Sequence, residues 1–180
     1  MNSKRLELVR EIFPGATRIL FVTNLSNAAN GQTLKNVEKT AQALKFKLSL
    51  FDVRRAEDFE RAFKGGVKLR ANALILGQDG LMQANGKHVV ELASKYRLPA
   101  IYPASEYVDD GGLIGHGVSY SDLYRRAATY VDKILKGAKA GDLAIERATK
   151  FDLVINLKTA KALGIAIPKS VLLRADRLIE

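Results

Sequence analysis

Cysteine is absent from the 180 residues. Disulfides, thiolate metal sites and a cysteine nucleophile are therefore excluded, while a reducing compartment and a periplasm both remain open. No apolar stretch approaches the roughly 20 residues of a membrane-spanning helix. The N-terminal MNSKRLELVREIFPG is charged and amphipathic, without the apolar centre and small-residue cleavage site of an export signal. A cytoplasmic location is expected if this is the complete gene product. Catalytic signatures are equally scarce. There is no P-loop, and Thr23 to Gly31 lacks the G-x-G-x-x-G spacing of dinucleotide sites. His88 falls in a predicted helix and His116 in a Gly-His-Gly segment, with no partner carboxylate or second ligand at metal spacing, so both read as surface or packing residues. No nucleophile elbow surrounds Ser105. The expectation is a protein that is not an enzyme and takes neither metal nor cofactor.

The composition that is present, 47% hydrophobic and 27% charged, is that of a globular domain. A net charge of +10 raises nucleic-acid binding, but the Lys and Arg are scattered, with no run longer than two and no aromatic-basic cluster. No nucleic-acid partner is expected.

Apolar spacing sets out a strand–helix rhythm. Leu6, Val9 and Phe13 share a helical face that Pro14-Gly15 terminates before a strand at 18–23. A helix over 30–45 buries Leu34, Val37, Ala41 and Leu44, and a strand follows at 47–53. Next come a helix over 56–70, the short apolar strand 73–76, one helix over 83–96, a strand at 98–102, and the glycine-laced extended segment 113–118. Strands alternating with helices predict an α/β fold with a parallel sheet covered by helices on both faces. Beyond it, Ser119 can cap a helix in which Leu123, Ala127, Val131, Ile134 and Leu135 share a face, and Lys136-Gly137 ends it. A polar loop, 138–150, is the best candidate linker.

In open parallel sheets ligands collect beyond the carboxyl ends of the strands. The corresponding loops carry Asn24, Ser26 and Asn27, then Gln78 and Asp79, then Ser105 and Glu106. Amides, hydroxyls and carboxylates suit a small polar ligand with an amino and a carboxylate group. The competing reading is that these residues simply make turns and cap helices. Tyr102, Tyr107 and Tyr120 flank the same region and read first as rim packing.

The stretches KRLELVREIFPGATRILFVTN, LPAIYPASEYVDDGGLIGHGVSYSDLYRRAATYVDKILKGAKAGDL and TKFDLVINLKTAKALGIAIPKSVLLRADRLIE resemble the C-terminal half of the substrate-binding proteins of ABC-type uptake systems. Those proteins have the periplasmic-binding-protein type I fold, some serve tryptophan or other amino acids, and their lobes are flavodoxin-like. The run from Ile155 to Gly164 and the ending Leu173-Arg174-Ala175-Asp176 carry the likeness most specifically. The resemblance implies two lobes that close on a ligand in the cleft between them. It assigns 1–118 to most of the second lobe, 119–148 to a crossover helix and linker belonging to the first, and 149–180 to a return segment. On that assignment the first lobe is expected to be largely missing. Many family members carry an Asn-Pro sequence after the first strand, where this chain has Asn24-Leu25-Ser26-Asn27. Related amino-acid binders have Asp followed by Asn or Thr after the third strand, where this chain has Asp79-Gly80.

The implied function is a partial substrate-binding component of an importer, periplasmic in the family, with an amino-acid-like ligand and, at full length, an ABC permease as partner. The face of helix 119–136 would be left apolar and open, so a homodimer through it is the further expectation. Three alternatives stay open: the ligand-sensing domain of a regulator, a non-transporting cytoplasmic relic of the same fold, and a small enzyme on a flavodoxin-like sheet.

Overall fold

The computed structural model describes residues 1–180. The elements, in chain order, are α1 (Asn2–Ile12), β1 (Arg18–Thr23), α2 (Ala29–Ala43), β2 (Lys47–Asp52), α3 (Asp58–Lys68), β3 (Ala73–Leu76), α4 (Gly80–Ala84), α5 (Gly86–Lys95), β4 (Ala100–Tyr102), α6 (Glu106–Asp109), β5 (Ile114–Val118), α7 (Tyr120–Leu135), β6 (Phe151–Asn156), α8 (Leu157–Leu163), α9 (Lys169–Leu172) and β7 (Arg177–Ile179). The seven strands form one sheet in the order β2-β1-β3-β4-β5-β6-β7. β1 to β5 run parallel, which is the expected α/β arrangement. β6 joins β5 antiparallel, and β7 joins β6 in parallel. The parallel expectation covers the strands up to 118 and agrees with β1 to β5; beyond it the chain leaves β5, runs out along α7 and returns to pair antiparallel through β6.

Alternation along each strand builds two cores. Leu20, Val22, Leu74, Leu76, Ala100 and Tyr102 face one layer of α3, α4, α5 and α6. Ile19, Phe21, Ala73, Ile75, Ile101, Ile114, Leu153 and Ile155 face the other, under α1, α2, α8 and α9. Helices therefore cover both faces, and each large buried side chain contributes about 1.5–3 kcal/mol by leaving water.

The helix expected over 83–96 is two helices, α4 and α5, meeting at Asn85-Gly86. Met82, Val89, Val90 and Ala93 keep an apolar face across the junction, which is why spacing alone reads it as continuous. Ser119 precedes α7 but makes no side-chain capping bond, since its hydroxyl pairs with that of Ser121. At the other end Gly137, with φ +98°, closes a Schellman turn in which its N–H donates to Ile134 O and that of Ala138 to Lys133 O. No residue of α7 is buried, and Tyr124 and Leu135 are 74% and 81% exposed. The segment expected as a linker is tied back along α7. Arg126 donates to Glu146 and to Thr149 Oγ1, both at 2.9 Å, and Tyr130 donates to Ala144 O.

The tail's distinctive residues have structural work. Asn156 caps α8 by accepting the Thr159 N–H at 3.0 Å, and Asp176 holds β6 by accepting the Leu153 N–H at 2.7 Å. No helix is long and apolar enough to cross a membrane.

Candidate functional site

The order β2-β1-β3-β4-β5 reverses direction between β1 and β3, since β2 lies on one side of β1 and all later strands lie on the other. At such a switch point the connections leave toward opposite faces, and a crevice opens beyond the strand ends. The loops after β1 and β3 meet there. Asp79 is the centre. Its Oδ1 accepts from Asn24 Nδ2 at 3.2 Å and from the Leu81 N–H at 3.0 Å, capping α4, and its Oδ2 accepts from Asn27 Nδ2 at 2.7 Å.

The two asparagines are themselves held. Asn24 Oδ1 accepts from the N–H and the hydroxyl of Ser26, and Asn27 Oδ1 accepts the Ala29 N–H at 3.1 Å. Asn30, buried at the start of α2, donates to Asn24 O at 2.8 Å. Asp52, at the end of β2, accepts the Leu25 N–H at 2.8 Å and so fixes the same loop from its other side. Burial pushes the Asp79 carboxyl up, but the direct bonds from Asn27, Leu81 and Asn24, with the Asn30 amide nearby, outweigh it and hold the group below its ordinary range. Asp79 is therefore a carboxylate at neutral pH. A carboxylate accepts about four bonds and three are taken, which leaves capacity for one more donor.

Beside Asp79 lies a cavity of about 130 Å³ lined by Gln78, Asp79, Gly80, Gln83, Pro103, Ala104, Tyr107 and Tyr120. Gln78 Nε2 donates to the Tyr120 hydroxyl at 2.9 Å, joining the loop after β3 to the first residue of α7. The Tyr107 ring stacks on Tyr102 with centroids 5.1 Å apart. Under the Pro103 wall sits Arg5, wholly buried. Its Nε donates to His116 O at 2.8 Å, its Nη2 reaches Pro103 O at 3.5 Å, and its Nη1 donates to Asn2 Oδ1. Desolvation lowers the Arg5 pKa to about 10, so the guanidinium stays charged, without a carboxylate partner.

Of the residues expected at the site, the structure brings Asn24, Ser26, Asn27 and Asp79 into one hydrogen-bonded cluster and places Gln78 on the cavity next to it. Ser105 and Glu106 stand apart: Ser105 donates only to its neighbour Glu106, at 3.4 Å. Glu106 lines a separate recess of about 50 Å³ that also touches Gln83 and Tyr107. Tyr107 and Tyr120, read first as rim packing, line the cavity itself. Asp52, Asn30 and Arg5 lie outside the residues that the sequence marks for the site. An acid at the end of β2 is a usable signal for Asp52, whereas Arg5 acts on residues about a hundred positions away and leaves none. His116 is a packing residue, with burial and the nearby Arg5 driving its pKa down to about 4. His88 meets Phe59 edge-on, with ring centroids 6.3 Å apart. No cluster of His, Asp and Glu side chains that could hold a metal ion occurs.

Three comparisons bear on this arrangement. Residues 1–179 match the family model described as ABC transporter substrate binding protein. A curated tyrosine-binding protein of Clostridioides difficile is 23% identical over 162 residues, covering 90% of this chain and 47% of the relative. Among solved structures, a conserved domain protein of Vibrio cholerae superposes with TM-score 0.87 at 26% identity, over 98% of this chain and 60% of the other. An ABC domain from Streptococcus pneumoniae in complex with L-Trp gives TM-score 0.87 at 23% identity, over 99% and 60%. The chain thus spans about half the length of the curated relative and about 60% of these solved chains.

Proposed function

This chain belongs to the family of ABC transporter substrate-binding proteins, and from that premise we propose that it captures a small amino-acid-like ligand without chemical change, supplying one wall of a cleft between two lobes. The observation that carries this reading is the ionised Asp79, held by Asn24 and Asn27 at the β1/β3 switch point with one acceptor position free. An α-ammonium group fits that position. Asn24 and Asn27 spend amide hydrogens on Asp79, so they act mainly by positioning it, with Ser26 supporting Asn24. Gln78 contacts the ligand from the open wall of the cavity, while Ser105 and Glu106, which stand apart from it, are left for the second lobe to bring into reach.

The cavity of about 130 Å³ is well below the roughly 300–1,000 Å³ that encloses a small ligand. These residues therefore surround one end of the ligand, and a second lobe closes over the rest. At full length the protein delivers its ligand to an ABC permease, working with its family in the periplasm. Similarity to a tyrosine-binding protein and to a chain solved with L-Trp makes aromatic amino acids the first to try. The test is a thermal-shift screen over the twenty amino acids, since a ligand of the folded state alone raises the melting temperature. A rise with L-tryptophan or L-tyrosine supports the reading. No shift with any of the twenty at millimolar concentration overturns it for this chain.

A second reading concerns α7, on which Tyr124, Val131, Ile134 and Leu135 leave an apolar face open. Exposed apolar surface of this kind is covered in working proteins, and small Ala127 and Ala128 in its middle permit close approach. The proposed cover is a second copy of this chain. Light scattering on the wild-type chain should show a dimer at about 100 µM, and Tyr124→Glu with Leu135→Glu should return it to a monomer. A wild-type monomer at that concentration would dismiss self-association.

A further inference from the structure

Three buried side-chain polar atoms have no hydrogen-bond partner: Thr23 Oγ1, the Tyr107 hydroxyl and His116 Nδ1. A buried hydroxyl without a partner loses the bonds that water would make, so natural folds rarely leave one without a reason. Tyr107 is 3% exposed, lines the cavity beside Asp79, and is oriented by its stack on Tyr102. Its phenol carries a hydrogen with nowhere to donate. The hydroxyl lies within electrostatic range of Tyr120, Glu106, Arg5 and Asp79. Two of these are anions, and the one cation, Arg5, is buried behind the Pro103 wall without a carboxylate to neutralise it.

The cavity is therefore dipolar, with a fixed negative charge at Asp79 and a fixed positive charge behind Pro103. We infer that Tyr107 is the carboxylate-reading residue of the site: its hydroxyl donates to the ligand's carboxylate on the Arg5 side while Asp79 takes the ammonium. This rests on the amino-acid reading above and adds the ligand's polarity to it. A carboxylate alone would face Asp79 and Glu106 with only the buried Arg5 to oppose them. An amine alone would satisfy Asp79 and leave the phenol unpaired. Only a molecule with both groups free meets both Asp79 and the unpaired phenol, so the specificity is for the zwitterion. Burial pushes the Tyr107 pKa well up, which keeps the phenol protonated and a donor at all physiological pH.

The test is Tyr107→Phe, which keeps the ring and its stack on Tyr102, with unchanged melting temperature of the free protein serving as the check on folding. Binding of L-tyrosine and L-tryptophan, and of tyramine and tryptamine, which lack the carboxylate, is measured by calorimetry on both chains. A lost bond to a charged acceptor corresponds to about a 10- to 100-fold drop in affinity for the amino acids. The amines should bind both chains equally, and the wild type more weakly than the amino acids do. Equal amino-acid affinity in the two chains overturns the role of Tyr107 while leaving amino-acid capture intact. An equal loss for the amines also overturns it, because the hydroxyl would then not be reading the carboxylate. If the wild-type chain binds neither amino acid, the proposed function fails with those ligands and this inference falls with it.

Discussion

Replacing Asp79 by Asn removes one charge and one acceptor oxygen at the junction of the two site loops, and its cost can be worked from the geometry. Asp79 accepts three bonds, from Asn27 at 2.7 Å, Leu81 at 3.0 Å and Asn24 at 3.2 Å. The amide has one oxygen and sets an NH2 against at least one of these donors. Bonds to a charged acceptor contribute about 1.5–3 kcal/mol against about 0.5–1.5 for neutral ones. Solvent at this half-exposed site places the loss near the low end, at about 2 kcal/mol. For a chain of this size that is about 4–8 °C in melting temperature. The bonds hold the folded Asp79 pKa below its ordinary value despite the opposing effect of burial. A depressed carboxylate pKa stabilises the fold fully above the unfolded value and loses that contribution as the pH falls through the folded one. Urea denaturation of both chains should show a constant gap from pH 7 to 5 that shrinks below about pH 4. A variant as stable as wild type at pH 7, or a gap that persists unchanged in acid, would refute the network as the source of the order in these loops.

Two further predictions concern the pivot beneath the cavity. Arg5→Met removes the cost of burying an unpaired cation together with its bonds, and should cost under about 2 kcal/mol, whereas Arg5→Ala adds a cavity and should cost about 3–5 kcal/mol by urea titration; equal losses would mean that packing around the Arg5 stem contributes little. His116, with its pKa driven down to about 4 by burial and then by Arg5 and Lys4, must stay neutral in the fold. Stability should therefore fall as the pH drops from about 6.5 toward 4, with a slope of up to about 1.4 kcal/mol per unit, and His116→Asn should flatten the profile between pH 6.5 and 5; an unchanged profile would assign the acid sensitivity to other groups.

What could be read from the sequence follows the range of the interactions involved. Strands 18–23 and 73–76 emerge to the residue because both are bounded apolar runs, and Leu74, Ile75 and Leu76 are sealed on both faces. Asp79 was visible as a carboxylate beyond a strand. Its partners, some fifty residues earlier, become neighbours only because β1 and β3 pair directly. That pairing depends on the global strand order, not on any local pattern. The break at Asn85-Gly86 was hidden because the apolar face runs through it, and the reversal of β6 because an antiparallel return needs α7's length and direction, which spacing does not encode. Tyr107 was ambiguous for another reason. An aromatic ring beyond a strand packs in either role, and the structure adds that its buried hydroxyl has no partner.

The cavity and the open face of α7 meet at the first turn of that helix. The excursion 119–150 is clamped at its root, where β5 pairs with β6 and the Ser119 N–H donates to Lys150 O at 3.1 Å. At the same root Gly117 passes so close to Pro103 that an added Cβ would lie 1.7 Å from its carbonyl oxygen, and Arg5 ties that carbonyl to His116 O. The direction in which α7 leaves the sheet is thus set by backbone crowding and by one buried cation. Tyr120, the first residue of α7, bonds to Gln78 in the cavity. A body docked on α7 would act on a helix whose root touches the cavity beside Asp79, and by reciprocity anything that displaced the Gln78–Tyr120 bond would act on α7. The first turn of α7 is the element that the cavity and the open face share.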